Sequence, residues 1–417
     1  MAKLAINGGP KLRTKEFFAW PHYDERELRY VQEVIKSRRW FAGMRGADPG
    51  TKTARLEEEF ARYHDARRAI ACANGTVAIE IALRAAGIGA GDEVIVPALT
   101  FIATASAVLQ VNAIPVLVDT IYDTQCIDPG EVEKAITGRT KAIIPVHYGG
   151  FVCDMDRINE IAGRHGLIVI ADAAHAHGAV YNGRKLGSLC NLATFSFQES
   201  KTMTAGEGGA IITNDSELAE KCIQYRSCGR QEGESWYVHH VLAANYRLSE
   251  IQSAVLLAQL ERLDDQLRRK NANARYLAER FEGVEGIGPV PGDGHTDING
   301  YYLYLLRYDK REFGGVSRDR FVAALNAEGI PCHVGYPWPL SKNPMFERVK
   351  EGPEGCPYTC PFYGKRTSIK DQRFAATERI CDETVVIPHQ VLLSPRADMD
   401  DIITAVEKIK DNADELP

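Results

Sequence analysis

LATFSFQESKTMTAGEGGAIITND, residues Leu192–Asp215, is the stretch on which the fold turns. Two apolar runs, LATFSFQ and GGAIITND, bracket a turn that carries Lys201 and the glycine-rich Gly206-Glu207-Gly208-Gly209. Short apolar runs bounded by glycine read as buried strands. A lysine in a turn between two such strands is badly placed for a solvated charge. A covalent imine with a carbonyl cofactor removes that charge and accounts for the burial.

Working outward, the pattern repeats. ARRAIACA, DEVIVPA, AIPVLVD, TKAIIPVH and LIVIADAA precede these two runs, with helical stretches between them. Val77–Ala86 reads as a helix closed by Gly87, and Met155–His165 as one closed by Gly166. Runs continuous in Val, Ile and Ala bury both faces, so the sequence predicts an α/β unit whose mainly parallel or mixed sheet is covered by helices. From Leu248 a long helix is expected, because Ile251, Val255, Leu256, Leu260, Leu263, Leu267, Leu277 and Phe281 recur at helical spacing. Gly283–Asn299, rich in Gly, Pro and Asp, reads as a loop. A smaller α+β unit follows, with YYLYLLRYD as strand, Ser317–Glu328 and Met399–Asn412 as helices, and VVIPHQVLL between them. The expected division is 1–260 for an N-terminal arm and large domain, and 261–417 for a small C-terminal domain.

The bulk properties narrow the class. The 417 residues carry a net charge of -6, with 45% hydrophobic and 25% charged residues, which are ordinary globular values. No basic footprint for nucleic acid is present; Arg268-Arg269-Lys270 is balanced by nearby acids and reads as a solvated helix face. MAKLAINGGPKLRTKEF lacks the apolar core of a signal peptide. The most apolar window, Val94 to Val111, is interrupted by Pro97, Thr100, Thr104, Ser106 and Gln110, so it reads as strand, turn and buried helix rather than a membrane span. A soluble, cytoplasmic protein with neither nucleic-acid nor membrane partners is expected. The ten scattered cysteines read as reduced thiols, and Cys356 and Cys360 in CPYTC have no matching second pair to suggest a metal or redox site.

Two further segments carry chemistry. In ANGTVAIEIALRAAG a strand ends at Ala73 and a helix begins at a Gly-Thr pair. The free amides of a helix start bind phosphate, and Thr76 can add its hydroxyl; Thr76 as a plain N-cap is the equal alternative. In LIVIADAAHAHG, Asp172 sits at the C-terminal end of an apolar strand, where open α/β sheets bind ligands. Its carboxylate needs a partner, either a pyridinium N–H or a structural cation or cap. His175 and His177 fit no metal signature, no metal is expected, and His177 reads as structural. A dinucleotide-binding dehydrogenase requires GxGxxG after a strand, and Gly75 stands alone.

Taken in order, these segments, with GDEVIVPALTFIATA, NAIPVLVD, NYRLSEIQSA and VVIPHQVLL, resemble the DegT/StrS family of sugar and cyclitol aminotransferases over nearly the whole chain. The resemblance implies pyridoxal-phosphate transferase fold type I: a large domain with a mixed, mostly parallel seven-stranded sheet covered by helices, and a smaller α+β C-terminal domain. It implies pyridoxal 5′-phosphate held as a Schiff base by Lys201. It also implies Asp172 on the pyridine nitrogen, Ser196 with Gly75 and Thr76 on the phosphate, Phe101 stacked on the ring and His175 beside it. Asn245 and Arg247 match a hairpin that reaches the neighbouring subunit's phosphate, so a homodimer is implied. Glutamine or glutamate is the implied amino donor. FSFQESK with Gln198, AHAHG, SRRWFAGM and His389 are more similar to the branch of cyclitol aminotransferases and aminohydroxybenzoate synthases than to the nucleotide-sugar members, so a keto-cyclitol or keto-sugar is the expected acceptor. A non-catalytic regulator reusing the fold is the rival of another class, and intact Lys201, Asp172 and Ser196 weigh against it.

Overall fold

The computed structural model describes residues 3–41, 50–231, 233–235, 237–348, 362–363 and 369–416. The seven apolar runs form seven strands of one sheet: β1 (Arg68–Cys72), β2 (Glu93–Pro97), β3 (Ile114–Val118), β4 (Thr140–Ile143), β5 (Ile168–Asp172), β6 (Leu192–Ser196) and β7 (Gly209–Thr213). Their order across the sheet is β1-β7-β6-β5-β4-β2-β3. Every neighbour pair is parallel except the two that involve β7. Successive side chains of a strand point to opposite faces. In β2, Ile95 accordingly joins one apolar core, while Val94 and Val96 join the other. Burial on both faces explains why Val, Ile, Leu and Ala dominate these runs.

Helix α1 (Gly75–Ala85) follows β1 directly. Its N-cap is Asn74, whose side chain accepts from the Val77 amide at 2.9 Å, so Thr76 lies in the first turn and is not the cap. The helix expected from Met155 to His165 has those bounds, and Gly166 closes it with a left-handed φ of 64°.

The long helix expected from Leu248 is instead two helices, α2 (Glu250–Glu261) and α3 (Leu263–Phe281), broken at Arg262. The cause is the Arg262 side chain. Its guanidinium reaches back to the N-terminal helix Glu25–Ser37, donating to Glu27 Oε2 at 2.7 Å and pairing with Asp24 at 3.0 Å. Both Arg262 and Glu27 are buried, so the pair is held out of water.

The C-terminal part has its own apolar core and an antiparallel sheet of β8 (Ile287–Pro289), β9 (Leu303–Tyr308), β10 (His333–Val334) and β11 (Thr384–Pro388), in the order β8-β9-β11-β10. Helices Arg318–Ala327 and Ala397–Asp411 pack in that core. The loop expected over Gly283–Asn299 contains β8 and a second short strand, Thr296–Ile298. Both are edge strands three residues long, a setting that tolerates Pro and Gly. The N-terminal arm, grouped above with residues 1–260, places Leu4 in the C-terminal core, and Arg13 pairs with Asp398 at 3.1 Å. The 1–260 and 261–417 division remains our proposal for the domain organisation. No helix among the described residues is long and apolar enough to cross a membrane. Cys356, Cys360 and the part of SRRWFAGM beyond Phe41 lie outside the described residues; the eight described cysteines are free thiols.

Candidate active site

The C-terminal ends of β5 and β6, the start of α1 and the turn after β6 surround a cavity of about 880 Å³. Strand ends in a parallel sheet leave backbone and side chains free to meet a ligand, which is why the site lies here. Seven of the nine residues singled out from sequence line it: Gly75, Thr76, Phe101, Asp172, His175, Ser196 and Lys201.

One end of the cavity suits a phosphate. Asn74 caps the Val77 amide. Among the described residues the amides of Gly75 and Thr76 are left without a protein acceptor, as the first turn of a helix leaves them. Position 75 cannot hold a side chain: a Cβ there would meet the Ser196 Cβ at 2.7 Å. The missing side chain lets the Ser196 hydroxyl approach the helix start. Two backbone donors and the hydroxyls of Thr76 and Ser196 thus converge, the donor set an anion requires.

In the middle stands Asp172. Burial pushes its carboxyl pKa up, while hydrogen bonds from Ala174 and Thr104 and the charge of Lys201 pull the other way. The Ala174 amide donates to Oδ1 at 3.1 Å and the Thr104 hydroxyl to Oδ2 at 2.9 Å. Because the Thr104 proton is committed to Asp172, the Thr100 hydroxyl at 2.8 Å donates to Thr104. This two-hydroxyl chain was missed from sequence. Its signal was present, since Thr100 and Thr104 are four residues apart in the segment that supplied Phe101. Among the described residues the carboxylate lacks a cation in contact, and a protonated ring nitrogen is the partner that would favour its ionised form.

Lys201 is half-buried, and desolvation brings its amine down to about 8, with the Asp172 charge raising it. Its Nζ lies 4.1 Å from the centre of the Tyr302 ring. Tyr302, which immediately precedes β9, was read from sequence only as part of a strand. The turn is pinned from both sides: Lys201 N donates to Gln198 O at 2.8 Å, Glu199 N to Gly206 O at 2.9 Å and Phe197 N to Gly208 O at 2.8 Å.

The walls are aromatic. Phe101 is 58% exposed on the cavity side, an unusual state for a phenyl ring unless a flat partner covers it. His175 Nδ1 accepts from the Gly149 amide at 3.3 Å, and its ring lies 4.2 Å from that of Tyr302. Burial holds His175 well below its usual pKa, and thus neutral. His177 points elsewhere, packing on Phe195 and Phe197. His389 is buried with Nε2 3.1 Å from Ser200 O, behind the lysine turn.

Asn245 and Arg247 are the two candidates that the fold does not bring into this cavity. Asn245 Oδ1 accepts from the Arg247 amide at 3.3 Å, and the Arg247 guanidinium lies 5.1 Å from the Phe41 ring. Glu250, the local acid nearest in sequence, is occupied by the Lys52 and Thr53 amides at 2.7 and 2.9 Å. Arg247 therefore keeps its charge without an ion pair among the described residues.

The chemistry these residues fit is that of a flat, anionic-tailed aldehyde with a basic ring nitrogen. The cradle at Gly75 would take the tail, Asp172 the ring nitrogen and Lys201 the carbonyl. Comparison with known proteins points the same way. The sequence model of the DegT/DnrJ/EryC1/StrS aminotransferase family matches residues 21–363. The chain is 37% identical to an L-glutamine:scyllo-inosose aminotransferase of Streptomyces griseus, over 100% of this chain and 99% of that protein. It is also 37% identical to an L-glutamine:2-deoxy-scyllo-inosose aminotransferase of Micromonospora echinospora, over 100% of both. The crystal structure of 3-amino-5-hydroxybenzoic acid synthase superposes with a TM-score of 0.84 at 33% identity, covering 96% of this chain and 100% of that one.

Proposed function

The chain belongs to the DegT/DnrJ/EryC1/StrS aminotransferase family, whose members use pyridoxal 5′-phosphate, and from that premise we propose that it transfers the amino group of L-glutamine to a keto-cyclitol. The observation that carries the aminotransferase chemistry is the meeting of Lys201, Asp172 and the Gly75–Ser196 cradle in one cavity. Full-length similarity to two glutamine-dependent cyclitol aminotransferases supports the substrates. The cytoplasm is the compartment we assign to it.

When bound, the cofactor supplies a carbonyl carbon and an electron-accepting ring. Gly75, Thr76 and Ser196 hold its phosphate and fix its depth. Asp172 holds a proton on the ring nitrogen, and Thr104 and Ala174 keep the carboxylate aimed there. Phe101 covers one face of the ring and His175 borders it. Lys201 would anchor the cofactor through its amine, which burial brings down to about 8. Released by the amino donor, the same amine would be the base for the donor's Cα proton, and with the keto acceptor it would return that proton.

The substrates are tested by supplying glutamine labelled with heavy nitrogen at its α-amino group and a panel of keto-cyclitols and nucleotide-linked keto-sugars. Label is expected in an aminocyclitol, read by mass spectrometry. Label appearing only in nucleotide-linked amino sugars would replace the acceptor assignment.

The lowered amine pKa has a measurable consequence. Only the neutral amine attacks a carbonyl, and Lys201 loses its proton near pH 8 rather than near the ordinary lysine value of about 10.4. Covalent uptake of pyridoxal phosphate by the cofactor-free enzyme should therefore accelerate as pH rises through about 8 and level off above it. Visible absorbance follows the uptake. A rate still climbing above pH 10 would mean an ordinary, solvated lysine.

The position of Asn245 and Arg247 outside the chain's own cavity supports a homodimer in which this hairpin completes the partner's phosphate site. Two-fold dimers give two identical shared sites at once. Mixing inactive Lys201→Ala and inactive Arg247→Ala subunits under exchange should restore activity, because one of the hybrid's two sites keeps both residues. The yield is up to about a quarter of wild type if exchange is statistical. Hybrids that form without activity would remove Arg247 from the shared site.

A further inference from the structure

Beside Lys201 stands a row of three polar side chains whose orientation is fixed by their own hydrogen bonds. Gln198 opens the turn that carries the lysine. Its side-chain Oε1 accepts from the Ser200 amide at 2.9 Å and from Ser200 Oγ at 2.7 Å. A backbone N–H only donates, so the atom facing it is the amide oxygen, and Nε2 keeps its two protons for another acceptor. Among the described residues nothing takes them, and Gln198 lines both the main cavity and an adjoining one of about 290 Å³. The single hydroxyl proton of Ser200 is committed to Gln198. The 2.9 Å contact between Ser200 Oγ and Tyr302 Oη therefore has the tyrosine as donor, which leaves lone pairs on Oη open. All three residues line both cavities, and the ring of Tyr302 is the one under the Lys201 amine.

A pair of N–H donors followed by a hydroxyl acceptor, with no formal charge in the row, matches neighbouring ring hydroxyls, each of which both donates and accepts. We propose that Gln198, Ser200 and Tyr302 form the subsite that reads the ring hydroxyls of the acceptor, with Gln198 Nε2 donating to one hydroxyl and Tyr302 Oη accepting from another. The acceptor class this selects is an uncharged polyhydroxy ketone. The proposal rests on the aminotransfer reading above and adds the residues that confer acceptor specificity.

The two half-reactions separate this role from general support of the site. In the holoenzyme, Gln198→Leu and Tyr302→Phe remove the polar atoms and keep the bulk and the ring over Lys201. Conversion of the enzyme by glutamine, followed by absorbance in rapid mixing, should stay within about threefold of wild type. The kcat/KM for the keto-cyclitol should fall about 10- to 100-fold, as loss of one or two hydrogen bonds predicts. Calorimetric affinity for an inositol, which has the hydroxyls but no ketone, should fall by a similar factor. Acceptor kinetics and inositol affinity both within about twofold of wild type, in folded variants, would overturn the subsite. Equal losses in both half-reactions would overturn it too, since the residues would then serve only to place Lys201. A wild type that reacts with glutamine yet aminates no keto-cyclitol would count against the substrate assignment instead, and the inositol titration would still decide the subsite.

Discussion

Lys201→Ala is expected to remove turnover almost completely, by at least about 10³-fold in kcat, while leaving the fold intact. The size follows from the double role of the side chain. General acid–base catalysis by a placed group is worth about 10²- to 10⁴-fold, and the covalent anchor is lost with it. The fold should survive because the amine makes no ion pair among the described residues; it rests over Tyr302 and is desolvated at a cost. Removing a desolvated amine relieves that cost, so thermal melting of the cofactor-free variant should match wild type or rise slightly. Circular dichroism and melting establish the fold, and steady-state assay reads the loss. A variant that keeps more than a few per cent of activity would place the proton transfer elsewhere.

Asp172→Asn carries the second large effect. The amide keeps the shape, and its one oxygen can still accept from the Ala174 amide while its nitrogen faces the Thr104 oxygen as a donor, but it provides no charge to hold a proton on the ring nitrogen. Leaving a buried charge without its partner costs about 3–5 kcal/mol, which corresponds to roughly 10²- to 10³-fold or more in rate. The loss should appear in kcat of both half-reactions, because the ring must accept electrons in each. Near wild-type rates in Asp172→Asn would reduce the residue to the structural cap that the sequence also allowed.

The parts of the fold legible from sequence are those set by local pattern. The seven strands were visible because sheets covered on both faces need unbroken Val, Ile and Ala, and Gly166 and the Met155–His165 helix followed from local signals. The break at Arg262 was not legible. The leucine stripe runs through it in register, and the interruption is caused by a guanidinium that bonds to Glu27, far away in the chain. Thr76 was offered as a plain N-cap, but Asn74 is the cap; both residue types cap helices, and only the backbone geometry shows which one does. Within the cavity, residues adjacent to a motif were found and those brought in by tertiary packing were not. Thr104 became significant only once its hydroxyl was seen on Asp172, and Tyr302 only once β9 was seen to begin beside Lys201. Asn245 and Arg247 were identified by resemblance alone, and the fold of one chain places them away from its own site.

A second lysine with a lowered pKa, Lys270, is fully buried rather than on the solvated helix face read for it from sequence, and it makes the most direct test a choice between two. Burial brings Lys270 down to about 7, but its amine is tied to the backbone oxygens of Gly300 and Tyr301. Lys201 alone of the pair lines the cavity with Asp172 and the phosphate cradle. The measurement is borohydride reduction of the holoenzyme followed by peptide mapping. The cofactor label is expected on Lys201, within the peptide that contains FSFQESK; a label on Lys270 or on any other lysine would contradict the account.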